Sequence, residues 1–234
     1  MVPLIQFKKV CKSFGDKEII KNLSLDLFPG EIFGLVGTSG CGKSTLMKLL
    51  LGVYPPDSGN ILINGEDISN NLTRIRKLVG YTTQENSFYD KLTIYENLKY
   101  YANLYNLKQG DEFHQHLNAL LHSVGLLEHK NAIAGRISGG MKRRLDFAIS
   151  LIHNPKILIL DEPTTGLDPL LVKQFWEIVK KTKSEDNTMI ISSHIFPEIQ
   201  ENADRVGIMH NKHILKIVKP GGKSLFSLFK NIVK

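Results

Sequence analysis

Hydrophobic residues recur along the chain at two spacings, one typical of strands and one typical of helices. Short apolar runs bounded by turn residues predict strands. Leu46, Leu49 and Leu50 share one helical face and predict a helix over 44–51. The predicted strands are 4–10, 19–27, 31–36, 60–63, 79–82, 157–160 and 188–192, with two more around 206 and 214.

Helices and strands alternate in the second half of the chain, where helices are predicted over 138–153, over 170–182 and near Pro197. Such alternation is typical of a parallel sheet with helices on its faces, and it excludes an all-β sandwich. We therefore predict an α/β fold with a mainly parallel sheet and an antiparallel β region near the N-terminus.

A helical segment interrupts this alternation. Thr93 and Glu96 have the spacing of a capping box, and the pattern stays helical to about Arg136. We predict an α-helical subdomain over about 88–137, inserted in a domain that spans 1–220. Residues 221–234 are predicted to form a short amphipathic tail that packs on this domain, with lysines near its ends at Lys223, Lys230 and Lys234.

The composition is that of a globular protein, with 42% hydrophobic and 23% charged residues among 234. No apolar run approaches the ~18 residues of a membrane span, and residues 1–12 lack the pattern of a secretory signal. We therefore expect a cytoplasmic chain that crosses no bilayer, with Cys11 and Cys41 as reduced thiols. The net charge of +7 favours an anionic partner such as nucleotide, nucleic acid or acidic lipid, or else serves only solubility.

A glycine-rich segment carries the first chemical signal. Residues 37–44 read GTSGCGKS and fit the phosphate-binding loop pattern between an apolar strand and a helix. Glycines let backbone N–H groups approach a phosphate closely, and the start of the helix adds a favourable dipole. Lys43 supplies positive charge for the β and γ phosphates, and the Ser44 hydroxyl can bind Mg²⁺. The alternative is a plain strand-to-helix turn with an exposed lysine.

Two carboxylates follow the apolar strand predicted over 157–160. Ligands of open α/β sheets bind at the carboxyl ends of strands, so Asp161 and Glu162 are expected near the phosphates. Adjacent residues of an extended strand point to opposite sides. We assign water-mediated Mg²⁺ binding to Asp161 and polarisation of the attacking water to Glu162. The alternative is a helix-capping pair at the end of a core strand.

A second helix start offers backbone N–H groups to an anion. Ser138 is a natural N-cap, and Gly139 and Gly140 are expected to expose the backbone. The basic residues 142–144 are expected to form a solvated face with local ion pairs, the alternative being a nucleic-acid patch.

With these motifs in this order, the chain resembles the ATP-binding subunit of an ABC transporter over nearly its whole length, to about Val218. The resemblance implies a P-loop NTPase core that binds ATP and Mg²⁺. It implies catalytic roles for Glu162, His194 and Gln84, and Mg²⁺ binding by Ser44, Gln84 and Asp161. The ATP-binding residues that it implies are Phe14, Gly37, Thr38, Ser39, Gly40, Cys41, Gly42, Lys43, Ser44, Thr45, Ser138, Gly139, Gly140 and Asp168.

For three of these residues, the sequence also offers a physical reason for the assigned role. Phe14 can stack on adenine, with core packing as the alternative. Gln84 and His194 follow strands whose carboxyl ends should face the nucleotide, so both can reach the γ phosphate or the attacking water.

The resemblance also implies partners. It implies a head-to-tail dimer, of identical or different subunits, with each ATP between the phosphate loop of one copy and the Ser138 helix start of the other. It implies an integral membrane permease, placing the chain at the inner face of the cell membrane, and argues against nucleic acid. In the inserted subdomain, we expect Tyr101 and Tyr105 to face the core and Phe88 and Tyr89 to face the permease.

Residues 138–144 and 161–169 resemble the branch of the family that serves exporters, so we expect export. The sequence departs from the family at Ile137 and Met141, where Leu and Gln are more frequent. The alternative function is that of a soluble ABC ATPase acting on ribosomes or DNA. A small-molecule kinase is disfavoured, because it would not need the helix start at Ser138.

Overall fold

Two β-sheets organise the chain in its computed structural model, which describes residues 2–222 and 224–233. The strands are β1 (Ile5–Phe14), β2 (Lys17–Leu27), β3 (Ile32–Gly37), β4 (Ser58–Ile63), β5 (Glu66–Asp67), β6 (Val79–Thr82), β7 (Ile157–Asp161), β8 (Thr188–Ser193), β9 (Arg205–His210) and β10 (His213–Val218). The α-helices are α1 (Lys43–Leu50), α2 (Leu72–Leu78), α3 (Ile94–Leu104), α4 (Asp111–Ser123), α5 (Gly139–Leu151), α6 (Pro169–Thr182), α7 (Phe196–Asn202) and α8 (Leu225–Val233). Every strand that the sequence predicts is present.

The smaller sheet is antiparallel, with strand order β2-β1-β4-β5. Ile5 of β1 lies opposite Leu27 of β2 on one side and Ile63 of β4 on the other. All three are buried in a core that they share with Leu46 and Leu49 of α1. This sheet is the antiparallel region expected near the N-terminus, whereas β3, which follows β2 in the chain, belongs to the larger sheet.

The larger sheet has the strand order β10-β9-β3-β8-β7-β6. All neighbouring strands from β9 to β6 are parallel, and β10 is antiparallel to β9. Strands β3, β7 and β8 are buried along their whole length, as expected for parallel strands covered on both faces. The predicted α/β fold with a mainly parallel sheet is confirmed, and the carboxyl ends of β3, β8, β7 and β6 lie side by side.

The helical insert contains two α-helices. Thr93 caps α3 with a complete capping box, because its hydroxyl accepts the N–H of Glu96 and the Glu96 carboxylate accepts the N–H of Thr93. Gly125, at φ +66°, follows the end of α4 and stops it with a left-handed residue. The remainder forms 3-10 turns at Leu127–His129 and Ala134–Arg136, so the expected α-helical pattern up to Arg136 is wrong for this stretch.

The aromatic residues of the insert divide between core and surface. Tyr101 faces inward, and its hydroxyl donates a hydrogen bond to the carbonyl of Ser87. Phe88 is buried in the core under the insert, so the expectation that it faces a partner is wrong; burial removes its phenyl ring from water. Tyr89 is exposed and meets Tyr100 edge to face, with ring centroids 4.9 Å apart.

Helix α8 packs on α7. Leu225 and Phe229 are buried, and the ring of Phe229 lies 5.0 Å from that of Phe196. The backbone N–H of Leu225 donates to Oε1 of Gln200. Lys230 is exposed on α8, whereas Lys223 and Lys234 lie outside the described residues.

Over the described ranges 2–222 and 224–233, no helix combines the length and the apolar character that crossing a bilayer requires.

Candidate active site

Four neighbouring strands of the larger sheet deliver the predicted chemistry to one edge. The phosphate loop leaves the end of β3 at Gly37, and Gln84 follows the end of β6. Glu162 follows β7 directly, and His194 follows β8 directly. Parallel strands end at the same edge of a sheet, and this edge is where open α/β folds bind ligands.

The phosphate loop turns sharply through two glycines with positive φ. Gly40 lies at φ +75°, and Gly42, the N-cap of α1, lies at φ +112°. An L side chain would be strained at either angle. Thr38, Ser39 and Gly40 are exposed and, with Cys41 and the start of β2, line a cavity of about 330 Å³. The loop therefore presents its backbone to a ligand.

Cys41 lies within this loop and is half-buried. Burial raises the pKa of its thiol, and the ammonium of Lys43 opposes that effect. Cys41 and Cys11 are both free cysteines in the structure, as expected of reduced thiols.

Lys43 is buried at the first position of α1, with 4% of its side chain exposed. Its ammonium donates to the carbonyls of Gly37 at 3.1 Å and Thr38 at 3.3 Å. It also lies 3.4 Å from Oε1 of Glu162. Ser44 and Thr45 follow in the first turn and are half-buried. The helix thus begins with a fixed positive charge and two hydroxyl groups.

The two adjacent carboxylates have different surroundings. Asp161 is buried and accepts a hydrogen bond from the Ser192 hydroxyl at 2.6 Å. Glu162 leaves the strand at φ +49°, and its N–H donates to the same Ser192 hydroxyl at 2.9 Å. A positive φ is uncommon for a glutamate and is retained only where the surroundings impose it. This turn directs the Glu162 carboxylate to Lys43.

His194 lies on the other side of the Glu162 carboxylate. Its Nδ1 is 3.1 Å from Oε2 of Glu162, and the Thr165 hydroxyl donates to the same oxygen at 3.4 Å. The structure therefore brings Lys43, Glu162 and His194 together. Ser192, which joins Asp161 to Glu162, was missed in the sequence, because a serine inside an apolar strand carries no pattern of its own.

Phe14 lies at the end of β1 and is 44% exposed, so it is not a core residue. Tyr54 packs against it edge to face with ring centroids 4.9 Å apart, and the Lys12 ammonium lies 5.5 Å from its ring centroid. Asp57 accepts from the Lys12 ammonium at 2.7 Å and from the Ser13 N–H at 2.6 Å. These contacts fix the backbone that carries Phe14.

Gln84 is exposed, and its backbone is held by the helix that starts at Ser138. Arg143 donates to the carbonyls of Thr83 at 2.9 Å and Gln84 at 3.2 Å. Arg143 is 7% exposed, so the expectation of a solvated face over 142–144 is wrong at this residue. The reason is that the segment after β6 lies against α5 here, and its carbonyls replace water around the guanidinium. The sequence did carry one signal of this burial: Asp146 is a charged residue within the apolar run that follows Arg143.

The helix start at Ser138 is only partly open. The Ser138 hydroxyl accepts the N–H of Met141 at 3.3 Å, as expected of an N-cap. Gly139 is exposed, and a Cβ there would have no neighbour within 4 Å. Gly140 is buried, and a Cβ there would lie 2.7 Å from Cδ2 of Leu171. Gly140 therefore packs closely on α6 and Gly139 is the more open of the two, while the approach of an anion to their backbone N–H groups stays a prediction.

Asp168 is the N-cap of α6. Its Oδ1 accepts the N–H groups of Leu170 and Leu171, both at 3.0 Å. Gly166, at φ +81°, turns the chain between Glu162 and this cap. The loop is also tied to α7, because the Thr164 hydroxyl donates to Glu198 at 2.6 Å. Asp168 thus has a capping role within the chain itself.

The donor set fits a magnesium–nucleotide complex. Ser44, Asp161 and Gln84 supply hydroxyl, carboxylate and amide oxygens, which are the hard ligands that Mg²⁺ prefers. These residues belong to α1, β7 and the segment after β6, which meet at the same edge of the sheet. A Mg²⁺ ion bound together with a nucleotide usually has only a few protein ligands, because phosphate oxygens and waters fill its other coordination positions.

Comparison with known proteins places this site in a family. Residues 20–165 match the family model described as ABC transporter. The chain is 36% identical over 229 residues to a lantibiotic transport ATP-binding protein, SrtF, of Streptococcus pyogenes, covering 97% of this chain and 96% of that protein. It is also 36% identical over 214 residues to the linearmycin resistance ATP-binding protein LnrL of Bacillus subtilis, covering 92% of this chain and 68% of that protein.

Comparison with solved structures leads to the same family. The ATP-binding subunit of an ABC transporter superimposes with a TM-score of 0.87 at 26% identity, covering 99% of this chain and all of that one. The cbiO1 protein of Clostridium perfringens, part of the ABC transporter complex cbiONQ, gives the same TM-score over 97% of this chain and 92% of its own. The chain therefore belongs to the ABC transporter family, as an ATP-binding subunit that hydrolyses ATP.

Proposed function

We propose that this chain energises an exporter, and that it does so by Mg²⁺-dependent ATP hydrolysis in a dimer that drives a separate membrane permease. The observation that carries the proposal is that the carboxylate of Glu162 contacts both the Lys43 ammonium and the His194 imidazole. The relatives point to export, because their names describe lantibiotic transport, bacitracin transport and Nod factor export.

Each residue of the site has a proposed role. Lys43 binds the β and γ phosphates at the start of α1, and the backbone of 37–42 surrounds them. Ser44, Asp161 and Gln84 hold Mg²⁺, which when bound offsets the negative charge of the phosphates. Glu162 accepts the proton of the attacking water, and His194 orients that carboxylate through its 3.1 Å contact. Phe14 stacks on the base.

A second copy of the chain, or a related subunit, is proposed to complete the site. Helix α5 begins at the exposed Gly139 and runs for 13 residues, so its N-terminal N–H groups and dipole can meet a phosphate held by another copy. Asp168, at the adjacent start of α6, is proposed to lie at the same dimer surface.

The permease is proposed to dock on the inserted subdomain. Tyr89, Tyr100 and Leu104 are exposed there, while Phe88 is buried and takes no part. The chain would then lie at the inner face of the cell membrane. We propose that residues 1–220 form the ATPase domain, that the subdomain 88–137 is inserted in it, and that residues 221–234 form a tail.

Dilution tests the shared site. We expect the Mg²⁺-dependent ATPase rate per molecule to rise with protein concentration, since each site needs two chains. Lys43→Ala should abolish ATP binding in isothermal titration and serves as the inactive reference. A rate per molecule that stays constant on dilution of a monomeric preparation would contradict the dimer.

Copurification tests the partner. We expect the tagged chain, isolated from detergent-solubilised membranes, to bring with it an integral membrane protein, and ATP hydrolysis to change when that protein is bound. Copurification with ribosomes or DNA instead would favour the alternative function of a soluble ABC ATPase.

A further inference from the structure

Two buried charged side chains of helix α5 form hydrogen bonds with the segment that carries Gln84. Arg143 donates to the carbonyls of Thr83 and Gln84 at 2.9 and 3.2 Å. Asp146 accepts from the N–H of Ser87 at 2.9 Å and from its hydroxyl at 2.7 Å. These four hydrogen bonds, here named the loop clamp, span residues that are 59 or 60 positions apart in the chain.

The loop clamp also reaches helix α3. The hydroxyl of Tyr101 donates to the carbonyl of Ser87, whose N–H and side chain are held by Asp146. Ser87 is therefore fixed from both helices at once. The segment 83–87 cannot shift relative to α5 without breaking several partly buried hydrogen bonds, each of which is costly to lose without a replacement.

The charges of the loop clamp are directed at the loop. Arg143 is 7% exposed and Asp146 1%, and burial lowers the pKa of the first and raises that of the second. They are three residues apart on α5, yet no Arg143–Asp146 ion pair within 4.0 Å occurs among the described residues. Asp146 Oδ2 has no hydrogen-bond partner in the described part of the chain. Replacing buried charged side chains by apolar ones is often neutral or stabilising for a fold, so stability alone does not explain why Arg143 and Asp146 are buried.

We propose that Arg143 and Asp146 are positioning residues that make the Gln84 segment and the Ser138 helix start move as one body. Arg143 lies four residues after Gly139, about 6 Å along the helix axis. A displacement of Gln84 by the γ phosphate and Mg²⁺ is then passed directly to the N-terminus of α5. The inference rests on the proposed roles of Gln84 and Ser138, and it adds the mechanical link between them.

Hydrogen exchange tests the loop clamp in the nucleotide-free chain. Arg143→Ala should speed amide exchange over 83–88 by about tenfold, because the segment opens locally without its partner. Arg144→Ala is the matched control, since Arg144 is half-buried on the same helix but donates to the carbonyls of Val124 and Gly125. It should leave exchange over 83–88 unchanged.

ATP hydrolysis tests the consequence. Arg143→Ala should lower kcat by about tenfold or more, the usual effect of losing a residue that orients a ligand. It should leave the KM for ATP within about twofold, because the phosphate loop is untouched, and raise the Mg²⁺ concentration for half-maximal activity. Arg143→Lys should recover part of the kcat, since an ammonium can reach one of the two carbonyls. Arg144→Ala should keep the wild-type kcat and Mg²⁺ dependence.

Ser87→Ala serves if Arg143→Ala does not fold, because it removes one hydrogen bond and leaves both charges in place. It should speed exchange over 83–88 and lower kcat in the same direction. Wild-type exchange or wild-type kcat in Arg143→Ala, or in Ser87→Ala where Arg143→Ala does not fold, would overturn the inference while the proposed function stands. A wild-type chain without Mg²⁺-dependent ATPase activity would overturn the proposed function itself.

Discussion

Lys43 and Glu162 form an ion pair between the phosphate loop and the end of β7, with Nζ 3.4 Å from Oε1. Their side chains are 4% and 16% exposed, so water screens the pair only weakly. The second oxygen of Glu162 meets His194 at 3.1 Å. A phosphate that binds Lys43 therefore competes with a carboxylate for the same ammonium, and this relationship leads to the first prediction.

Glu162→Gln keeps the shape of the side chain and removes its charge. We expect ATP affinity to rise, because the phosphate no longer meets a carboxylate beside Lys43. Hydrolysis should slow by ~10² to 10⁴, because an amide cannot accept the proton of water. Isothermal titration measures the first effect, and phosphate release the second. Sedimentation should show a dimer that accumulates with ATP.

Glu177→Gln, at an exposed glutamate of α6, controls for the loss of one negative charge and should change none of the three quantities. Wild-type turnover in Glu162→Gln would remove Glu162 from its proposed role.

Phe14→Ala should weaken ATP binding. Stacking of a base on an aromatic side chain is worth ~1–3 kcal/mol, so the Kd should rise by about fivefold or more. Phe226→Ala is a matched control, because Phe226 is 46% exposed and Phe14 44%, but Phe226 lies on α8. Affinity for a triphosphate without a base should be the same in both variants. Equal ATP affinity of the two variants would show that Phe14 does not contact the base.

Gly139→Ala and Gly140→Ala should separate activity from stability. The methyl group of Gly139→Ala meets nothing within 4 Å, so the chain should fold with unchanged or higher stability. Its hydrolysis should fall, because the methyl group covers the N–H groups proposed to face the phosphate. Gly140→Ala forces Leu171 to move and should cost about 1 kcal/mol of unfolding free energy. Thermal unfolding and ATPase assays check both; full activity in Gly139→Ala would contradict the proposed dimer site.

Asp57 should make the stability of the Phe14 loop depend on pH. Hydrogen bonds from the Lys12 ammonium and then the Ser13 N–H lower the pKa of this carboxyl. A pKa that is lower in the folded chain stabilises the fold above the unfolded value of about 3.9, and this contribution is lost as the pH falls through the folded pKa. The difference in unfolding free energy between wild type and Asp57→Asn should therefore be largest near neutral pH and shrink in acid. A difference that is independent of pH would contradict this account.

Much of the site could be predicted because its signals are contiguous. Residues 37–44 form a turn whose glycines and lysine act within one loop, and the caps at Ser138 and Thr93 satisfy N–H groups a few residues away. Asp161 and Glu162 directly follow an apolar strand, and strand ends of a parallel sheet meet at one edge. Local hydrogen bonding and periodicity decide such features, so they can be read from neighbouring residues.

The sequence by itself determined the phosphate loop, the α/β alternation and the identity of the residues at the strand ends. Only the tertiary structure decided that Ser192 joins Asp161 to Glu162, that Gly140 packs on Leu171, and that Arg143 is buried on Thr83 and Gln84. These contacts join residues 30 or more positions apart, and strand order and helix packing set them. A basic residue on a helix is identical in sequence whether water or buried carbonyls surround it, and the fold alone supplies the carbonyls.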